Sequence, residues 1–393
     1  MRICVIVDDY LPDSIKVGAK MMHELACEFV SQGHQVTVFT PLPTLETRTR
    51  IDTLDGVTVC RFRSGEIKNV GKIKRAINET LLSHIAWKNY KSYFREHPHD
   101  LIVYYSPTIF WGGLVARLKA FWHAPAYLIL RDLFPQWAID QGLIREGSLI
   151  EKYFRYFEKK NYAAANTIGL MSERNLEFFR QSYHGNAKLE VLYNWASNQP
   201  VKSSGKYRKR YGLENKVVFF YGGNMGHAQD MMNLVRLARN MRDTPEAQFV
   251  FVGAGDEVPL IEKAVEEEGL NNILLLPPVS QEEFKEMLAE FDIGLFTLHK
   301  EHKTHNFPGK LLGYMVQSMP ILGSVNQGND LKDIIEEAKA GYVTVNGNDI
   351  QLLENAKRLM DVTVRKKLGQ NAKKLLDEYF SVSAATQQIL RGF

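Results

Sequence analysis

The chain has 393 residues, of which 45% are hydrophobic and 24% are charged, and its formal net charge at pH 7 is +4. This composition is ordinary for a globular protein and excludes a disordered or fibrous chain, while so small a charge does not by itself indicate nucleic-acid binding. The three cysteines, Cys4, Cys27 and Cys60, form no C-x-x-C pair and are expected to be buried thiols in a reducing compartment.

The N-terminus is predicted to form a strand rather than a signal peptide, because Asp8 and Asp9 end its short apolar run. The longest uncharged run, residues 101–116, is broken by Ser106-Pro107 and by Gly112-Gly113. That pattern is typical of a strand, a turn and a helix, so no segment is expected to span a membrane. We therefore expect a cytoplasmic protein.

Short β-rich runs alternate with longer amphipathic stretches along the whole chain. Strands are predicted near residues 2–7, 35–40, 57–62, 100–104, 126–130, 166–170 and 188–192, and then near 216–221, 247–252, 272–276, 291–296, 320–323 and 341–345. Helices are predicted near residues 18–32, 71–96, 148–164, 172–183, 229–242, 256–269 and 281–289. Alternation of this kind, with continuously apolar strands, predicts a parallel sheet covered by helices on both faces.

The alternation occurs twice, which predicts an α/β fold of two doubly wound, Rossmann-like domains. The polar stretch 194–205 is a natural linker, and the predicted domains are residues 1–197 and 198–393. The last helix, near 382–392, is expected to fold back over the first domain. Two such domains facing each other place a cleft at the carboxyl ends of both sheets, where ligands bind.

Two loops of the N-terminal domain carry candidate site residues. The loop 8–18 ends at a helix, with Gly18 at the point of closest approach and Lys20 nearby. Asp132 follows the apolar strand 127–130, and a carboxylate at the carboxyl end of a strand points into the cleft. An N-cap of the following helix is the alternative role for Asp132.

The stretch 71–95 is a basic amphipathic helix. Its cations are Lys72, Lys74, Arg75, Lys88, Lys91 and Arg95, interleaved with apolar and aromatic residues. Such a helix is suited to lie on an anionic lipid surface. A solvated helix that simply covers the sheet explains the pattern equally well.

Two glycine-rich loops follow the first two strands of the C-terminal domain. The first, residues 221–230, opens a helix, and its three glycines let backbone N–H groups approach a phosphate; a merely tight turn is the alternative. The second contains Gly253 and Gly255 but has Val258 where a dinucleotide fingerprint needs a glycine. We therefore expect it to line a nucleotide site without binding NAD.

The segment 305–322 is predicted to be a turn, a short apolar helix and a buried strand. Asn306, Phe307 and Pro308 form the turn, and Lys310 falls in the first helical turn. A lysine at a helix N-terminus strengthens an anion site. A second strand–loop–helix unit follows at 323–331, so the two loops are expected to form one phosphate cradle.

Three histidines, His299, His302 and His305, are spaced by three residues. The turn that follows makes this segment a loop, and no aspartate or cysteine completes a convincing ligand set. We therefore expect no metal here and keep only His305, which lies nearest the phosphate helix, as a functional candidate.

With these residues in view, the chain resembles family-4 glycosyltransferases of the GT-B fold. The motifs that carry the resemblance are Gly-Gly-Asn-Met-Gly-x-Ala-Gln at 222–229, Gly-x-Gly at 253–255 and Pro-Gly-Lys-Leu-Leu-x-Tyr-Met at 308–315. Three further segments are similar to bacterial O-antigen or capsule enzymes that transfer N-acetyl-L-fucosamine. They are Asp8-Asp9-Tyr10, Arg131-Asp132-Leu133-Phe134-Pro135 and Thr304-His305-Asn306-Phe307-Pro308-Gly309-Lys310.

The resemblance implies retaining transfer from a UDP-sugar without a metal or other cofactor, with the nucleotide held by the C-terminal domain and the acceptor by the N-terminal one. Together with the loop residues above, it gives Lys310, Asp132 and His305 as catalytic candidates. The donor-binding candidates are Gly18, Lys20, Gly223, Asn224, Gln229, Gly253, Gly255, Val279, Asn306, Phe307, Pro308, Asn329, Asp330 and Leu331. Of these, Val279 is implied for the uracil, and 329–331 for the phosphate or ribose.

The chain departs from the family pattern at two positions. His305 and Gly313 stand where the family usually has two glutamates, the second of which holds the ribose, and Asp330 is the expected substitute. Gln229 replaces a lysine of many members and leaves Lys310 as the principal cation. Asp132 falls where many members have a histidine beside the sugar.

The expected function is transfer of N-acetyl-L-fucosamine to a lipid-linked (polyprenyl diphosphate) saccharide in O-antigen or capsule biosynthesis. The enzyme is expected at the inner face of the cytoplasmic membrane, held there by the basic helix 71–95, with no nucleic-acid partner. One alternative is a UDP-sugar 2-epimerase, which shares the architecture but needs a group of carboxylates around the sugar. Another is an inactive nucleotide-sugar-binding or scaffold protein, suggested by the missing glutamates.

Overall fold

The computed structural model describes residues 1–14, 16–67, 70–301 and 307–393, with the backbone alone at 72 and 73. The chain divides into two compact units. Unit 1 comprises Met1–Tyr193 with Val382–Phe393, and unit 2 comprises Asn194–Ser381. Within the described residues, no helix combines the length and the apolar character that crossing a bilayer requires.

Unit 1 contains one large sheet and its covering helices. Its strands are β1 (Arg2–Ile6), β2 (Gln35–Pro41), β3 (Thr49–Leu54), β4 (Val57–Phe62), β5 (Leu101–Ser106), β6 (Ala126–Leu130), β7 (Thr167–Leu170) and β8 (Lys188–Val191). Its helices before the linker are α1 (Val17–Ser31), α2 (Lys72–Glu96), α3 (Gly112–Trp122), α4 (Gln136–Asp140), α5 (Leu149–Ala164) and α6 (Glu173–Ser182).

The strands of unit 1 lie in the order β3-β4-β2-β1-β5-β6-β7-β8. The central strands are almost wholly buried, as expected for strands covered on both faces. On the inner face of α2, Leu82, Ala86, Tyr90 and Phe94 pack into this core. Burial of each large apolar side chain contributes about 1.5–3 kcal/mol, so the sheet edge that carries the candidate residues is rigidly supported.

One edge of this sheet corrects the prediction of a purely parallel sheet. Strand β3 was not predicted, and it pairs antiparallel with β4. The turn between them is Asp55-Gly56, with φ of +48° and +80°, the Asp-Gly pair that two-residue hairpins favour. Strand β3 was missed because most of its residues are partly or fully exposed, so it has no continuous apolar run.

Unit 2 contains a second sheet. Its strands are β9 (Val217–Asn224), β10 (Ala247–Ala254), β11 (Ile273–Leu276), β12 (Ile293–Thr297), β13 (Ile321–Val325) and β14 (Gly341–Val345). Its helices are α7 (Lys206–Tyr211), α8 (Met231–Asn240), α9 (Val258–Glu268), α10 (Gln281–Leu288), α11 (Lys310–Val316), α12 (Asp330–Glu337), α13 (Asp349–Arg358) and α14 (Val362–Leu375). A 3₁₀ turn, His227–Gln229, and a π-helical turn, Leu376–Phe380, complete the unit.

The described strands of unit 2 are all parallel and lie in the order β11-β10-β9-β12-β13-β14. The carboxyl ends of β9, β10, β12 and β13 therefore meet at one edge of the sheet. Strands β9 and β10 both run further than predicted, with Gly223 paired to Gly253. The first glycine motif is thus partly strand rather than loop, because glycines let the two backbones approach closely.

The last helix, α15 (Val382–Leu390), belongs to unit 1. Gln32 Nε2 donates a hydrogen bond of 2.8 Å to Thr386 Oγ1, and Ile389 is fully buried. The unit boundaries fall at 193/194 and 381/382, whereas the sequence placed one division at 197/198 and expected the last helix to return to the first domain.

Candidate functional site

The central feature of unit 2 is the ammonium group of Lys310, the first residue of α11. Its Nζ lies 3.5 Å from the centroid of the Tyr221 ring, a cation–π contact. The same Nζ is 3.7 Å from the position that a Cβ on Gly223 would occupy. Within the described residues, no carboxylate forms an ion pair with Lys310. The sheet edge therefore holds a half-buried cation whose charge no described carboxylate offsets.

Burial lowers the pKa of Lys310 to about 7. Loss of hydration disfavours the charged form, and a nearby anion would restore it. At neutral pH the lysine is therefore poised between its two forms, and a bound diphosphate would draw it to the protonated one. This is the electrostatic behaviour expected of an anion site.

Helix α11 is fixed by contacts of its own side chains. The Tyr314 hydroxyl donates to the carbonyl of Leu295 over 2.9 Å, and Leu311 and Met315 are fully buried. Pro308 was predicted in the turn before this helix, and Lys310 in the first helical turn. The helix begins at Lys310, and the carbonyl of Pro308 accepts from the N–H of Leu311 in the preceding turn.

Two glycines at this edge have backbones that other residues rarely adopt. Gly223 has φ of +120° and Gly253 has φ of +153°. A Cβ on Gly253 would lie 1.9 Å from the carbonyl oxygen of Gly223, and one on Gly255 would lie 2.2 Å from that of Met225. A side chain at either position would force the two strand ends apart. Both predicted glycine motifs are thus part of one tightly packed surface.

The loop between β9 and α8 is held by its own polar groups. Gln229 Oε1 accepts from Asn224 Nδ2 over 2.7 Å and from the N–H of Gly226 over 3.2 Å. Glu257, which the sequence analysis did not select, is buried and accepts from the N–H of Met231 over 2.7 Å. Its position two residues after the Gly253-x-Gly255 motif could have identified Glu257 from the sequence. These bonds fix the loop beside Lys310.

The three candidate residues at the start of α12, Asn329, Asp330 and Leu331, have different roles. Asn329 Oδ1 caps the helix by accepting from the N–H of Leu331 over 3.0 Å, and the side chain of Leu331 is 1% exposed. Both therefore serve the fold. Asp330 differs, because its Oδ2 is buried without a hydrogen-bond partner among the described residues. Such an acceptor is available to a ligand hydroxyl.

Three other candidates of unit 2 lie around this edge. Phe307 packs against Phe380 with ring centroids 4.5 Å apart, and so anchors the turn that precedes Lys310. Val279 is half-buried just beyond the carboxyl end of β11, at the side of the sheet. His305 and Asn306 lie outside the described residues.

Unit 1 places its candidates at the carboxyl ends of β1, β5 and β6. Arg131 is buried and donates to the carbonyls of Gly169 and Tyr193 over 3.4 and 3.3 Å. Burial raises the pKa of the neighbouring Asp132 carboxyl, and the charge of Arg131 opposes that rise. Helix α4 begins at Gln136 with Pro135 at its N-cap, so Asp132 is not the N-cap of that helix.

Gly18 allows α1 to approach β5. A Cβ on Gly18 would lie 3.2 Å from the hydroxyl of Tyr105, and burial raises the pKa of Tyr105 to about 12. Tyr105, at the end of its strand, was not selected from the sequence. Lys20 is exposed and faces Glu24 at 4.0 Å, so it is directed along the helix.

The predicted residues therefore form two groups. In unit 2, Lys310 lies close to Gly223, and the two glycine motifs are packed against each other. Asp330 starts the next helix along. Gly18, Lys20 and Asp132 belong to unit 1.

Comparison with known proteins assigns both halves of the chain. Residues 18–195 match the family model "Glycosyl transferase 4-like domain", and residues 203–375 match "Glycosyl transferases group 1". The first match covers most of the N-terminal sheet and the second the whole of the sheet that carries Lys310. The two models thus divide the chain almost as its two units do.

Individual relatives are distant. The protein named "Probable glycosyltransferase WbjE" of Pseudomonas aeruginosa is 22% identical over 221 residues, which are 55% of this chain and 54% of that protein. The protein named "Putative colanic acid biosynthesis glycosyl transferase WcaI" of Escherichia coli (strain K12) is 24% identical over 335 residues, 79% of this chain and 80% of that one. The alignment with WbjE thus spans about half of that relative's length.

A solved structure covers the whole chain. Anabaena HepE in complex with UDP aligns with a TM-score of 0.66 at 15% identity, over 100% of this chain and 99% of that one. The fold is that of GT-B glycosyltransferases, and each of the two glycosyl transferase models matches a little under half of the chain. More particularly, the chain joins a glycosyl transferase 4-like domain to a glycosyl transferases group 1 domain. The predicted fold class is confirmed.

Proposed function

We propose that this protein is a retaining glycosyltransferase that moves a sugar from a UDP-sugar to a lipid-linked saccharide in polysaccharide biosynthesis. The observation that carries the proposal is the half-buried Lys310 with no described counter-ion, beside Gly223. A dianionic leaving group matches this site in charge. The name of WcaI, which refers to colanic acid biosynthesis, supports the polysaccharide setting.

The proposed donor is a uridine diphosphate sugar. Structures of HepE contain UDP, UDP with glucose, or UDP-glucose, which supports this nucleotide. We assign the diphosphate to Lys310 and to the backbone around Gly223, the uracil to the backbone near Val279, and a ribose hydroxyl to Asp330. N-acetyl-L-fucosamine is the proposed sugar, on the resemblance of the segments 131–135 and 304–310.

The proposed mechanism uses the charge that develops as the donor breaks. When the bond between the anomeric carbon and the diphosphate oxygen lengthens, negative charge collects on the diphosphate, and Lys310 stabilises it. Preorganised charge of this kind often dominates catalysis. The acceptor hydroxyl attacks the anomeric carbon from the face that the leaving group vacates, and its proton passes to the departing phosphate. Retention of configuration follows from that geometry, and Asp132 orients the sugar hydroxyls.

A lipid-linked acceptor is favoured by the exposed surface of α2 and α5. Leu149 and Ile150 at the start of α5 are 83% and 60% exposed, and Ile77 and Leu81 of α2 are 55% and 43% exposed. The hydroxyls of Thr80 and Tyr153 meet between the two helices. Apolar side chains exposed together are rare on a surface that faces only water. We propose that this face rests on the membrane.

A pocket beside that surface fits an anionic lipid head. It is lined by Ser83, Phe110, Arg117, Phe157 and Lys160, among others. Within the described part of the chain, neither Arg117 nor Lys160 makes an ion pair with a carboxylate. Two cations without a described counter-ion, next to exposed apolar side chains, are suited to a polyprenyl diphosphate.

The test is a transfer assay with purified protein, UDP-N-acetyl-L-fucosamine and a polyprenyl diphosphate saccharide. We expect release of UDP and an elongated acceptor whose new linkage keeps the anomeric configuration. Conversion of the donor to its C2 epimer without an acceptor would favour the epimerase alternative. Nucleotide binding without transfer or hydrolysis of any donor would favour the scaffold alternative.

A further inference from the structure

A cluster of ligand-type side chains lies in unit 1. His23 and Cys27 are four residues apart on α1 and so lie on the same face of that helix. Asp55 reaches them from the turn between β3 and β4. One ligand atom from each residue lies within 4.8 Å of the other two. These are the residue types that bind borderline-soft divalent metals.

Two of the three ligand atoms lie near the third, which is a ring nitrogen of His23. His23 Nε2 lies 2.9 Å from Asp55 Oδ2 and 3.4 Å from Cys27 Sγ. In a Cys-His-Asp catalytic relay the thiol and the carboxylate contact opposite nitrogens of the imidazole. Here the carboxylate meets Nε2, while the sulfur lies 3.4 Å from Nε2 and 3.9 Å from Nδ1. The thiol is therefore not placed on the nitrogen opposite the carboxylate, which does not suit proton relay, and the three ligand atoms stay close enough for one ion to gather them.

The other ring nitrogen is already held. The hydroxyl of Tyr10, which is 2% exposed, lies 2.9 Å from His23 Nδ1, and the two rings meet edge to face. A metal-bound histidine usually has its second nitrogen fixed by such a partner, which sets the tautomer and aims the free nitrogen at the ion. Tyr10 therefore supplies the outer contact that a ligand histidine needs.

We infer that His23 Nε2, Cys27 Sγ and a carboxylate oxygen of Asp55 bind one zinc-like divalent ion, with a fourth position open to water. Around a tetrahedral Zn²⁺ the sulfur and nitrogen ligands lie about 3.6 Å apart, close to the separation of 3.4 Å between Cys27 Sγ and His23 Nε2. To bind the ion, the carboxylate, on an exposed turn, would withdraw slightly from the imidazole, and the Cys27 side chain would rotate to bring its sulfur from beside the ring towards the line of Nε2. Burial and the charge of Asp55 raise the pKa of the Cys27 thiol, and the ion would bind its thiolate form.

The ion would join three parts of unit 1. It would bind α1 to the Asp55-Gly56 hairpin, and through Tyr10 it would steady the loop that begins at Asp8. It is a positioning site, separate from the transfer chemistry proposed at Lys310. The proposal therefore does not depend on the proposed function.

The test measures binding of ZnCl₂ and CoCl₂ to the purified full-length protein after chelation and dialysis. We expect one zinc per chain and, with cobalt, the near-ultraviolet charge-transfer band of a cobalt–thiolate bond. We expect Cys27→Ser to abolish that band and Asp55→Asn to weaken zinc binding at least tenfold. Asp55 lies on an exposed turn, so Asp55→Asn is expected to fold normally. It therefore still tests the site if Cys27→Ser folds poorly.

Glu24→Gln is the matched control. Glu24 is a neighbouring carboxylate on the same helix, outside the converging set. If Glu24→Gln weakened zinc binding as much as Asp55→Asn does, the binding would reflect diffuse negative charge, and the proposed site would be wrong. A zinc content below a tenth of one ion per chain, or a cobalt spectrum without the thiolate band, would overturn it as well.

Discussion

The two units present their sheet edges with different charge. The edge of unit 2 carries Lys310 over an aromatic ring, beside glycines that leave the backbone open. The edge of unit 1 carries Asp132 beside the buried Arg131, whose guanidinium is held by backbone carbonyls. One edge is therefore suited to an anion, and the other to a polar, uncharged group such as a sugar.

The difference shows how similar sheets can take different ligands. Apart from the antiparallel edge strand β3, both sheets consist of parallel strands whose carboxyl ends bear loops, so the architecture does not separate their roles. The separation comes from the charges at each edge: Lys310 has no ion-pair partner among the described carboxylates, whereas Asp132 lies beside the guanidinium group of Arg131. Mutations at the two edges should consequently fail in different ways, which makes the comparison testable.

The largest expected effect is that of Lys310→Ala. Removing the cation should lower kcat by about 10²–10³-fold or more, the loss typical of one preorganised group that stabilises developing charge. Transfer from UDP-N-acetyl-L-fucosamine measures it, with circular dichroism to show that the fold is kept. Lys216→Ala is the control, because Lys216 lies at the amino end of β9, at the opposite end of that strand from Gly223, and its ammonium donates to the carbonyl of Pro245. Activity near the wild-type level in Lys310→Ala would remove the basis of the assignment.

The second test addresses unit 1. Asp132→Asn should reduce transfer about 100-fold, within the range for a positioned carboxyl group, and leave the affinity for UDP unchanged. Measuring both kcat and the affinity for UDP distinguishes the contribution of the unit 1 edge from that of the unit 2 edge. Asp140→Asn, on the nearby helix α4, should change neither. If Asp132→Asn weakened UDP binding as strongly as transfer, the division of roles between the units would be wrong.

A smaller effect is expected at Asp330. If its unpartnered oxygen accepts a ribose hydroxyl, the wild type should bind UDP about tenfold more tightly than 2′-deoxy-UDP, the usual value of a hydrogen bond to a charged group. Asp330→Ala should remove that preference. Asp333→Ala, on the exposed face of the same helix, should keep it. A preference that survives in Asp330→Ala would place ribose recognition elsewhere.

The smallest effect concerns pH. The pKa of Lys310 is lowered to about 7, so the free protein loses this proton as the pH rises through 7, and the protonated form is the one that binds the diphosphate. Affinity for UDP should fall about fivefold between pH 7 and pH 8, and binding at pH 8 should take up nearly one proton. Calorimetry in buffers of different ionisation enthalpy measures both. Lys310→Arg, which stays charged, should show neither change, and equal pH dependence in the two proteins would exclude Lys310 as its source.

Much of the fold was predictable from apolar periodicity. The repeated alternation of strands and helices predicted two Rossmann-like sheets, and that prediction is confirmed. The antiparallel strand β3 was missed because its residues are mostly exposed, although Asp55-Gly56 is a strong hairpin signal. The extension of β9 through Asn224 was also missed, since glycine lowers strand propensity and the extension depends on the pairing of residues 222–224 with residues 252–254 of β10.

The site was predictable only where a motif fixes the backbone. Lys310 was predicted in the first turn of a helix, and the structure places its ammonium next to Gly223 of the first glycine motif. The different roles of Asn329 and Asp330 were not predictable from the sequence, because they depend on which of the two side chains caps the helix. Tyr105 and the cluster around His23 depend on contacts between distant segments, which no local pattern records.

The most direct measurement is calorimetric titration of the purified protein with UDP, GDP, ADP and dTDP. We expect UDP to bind selectively and Lys310→Ala to abolish its binding. If no nucleotide binds, or if Lys310→Ala binds UDP as the wild type does, then the anion site at the edge of unit 2 does not exist in the form described.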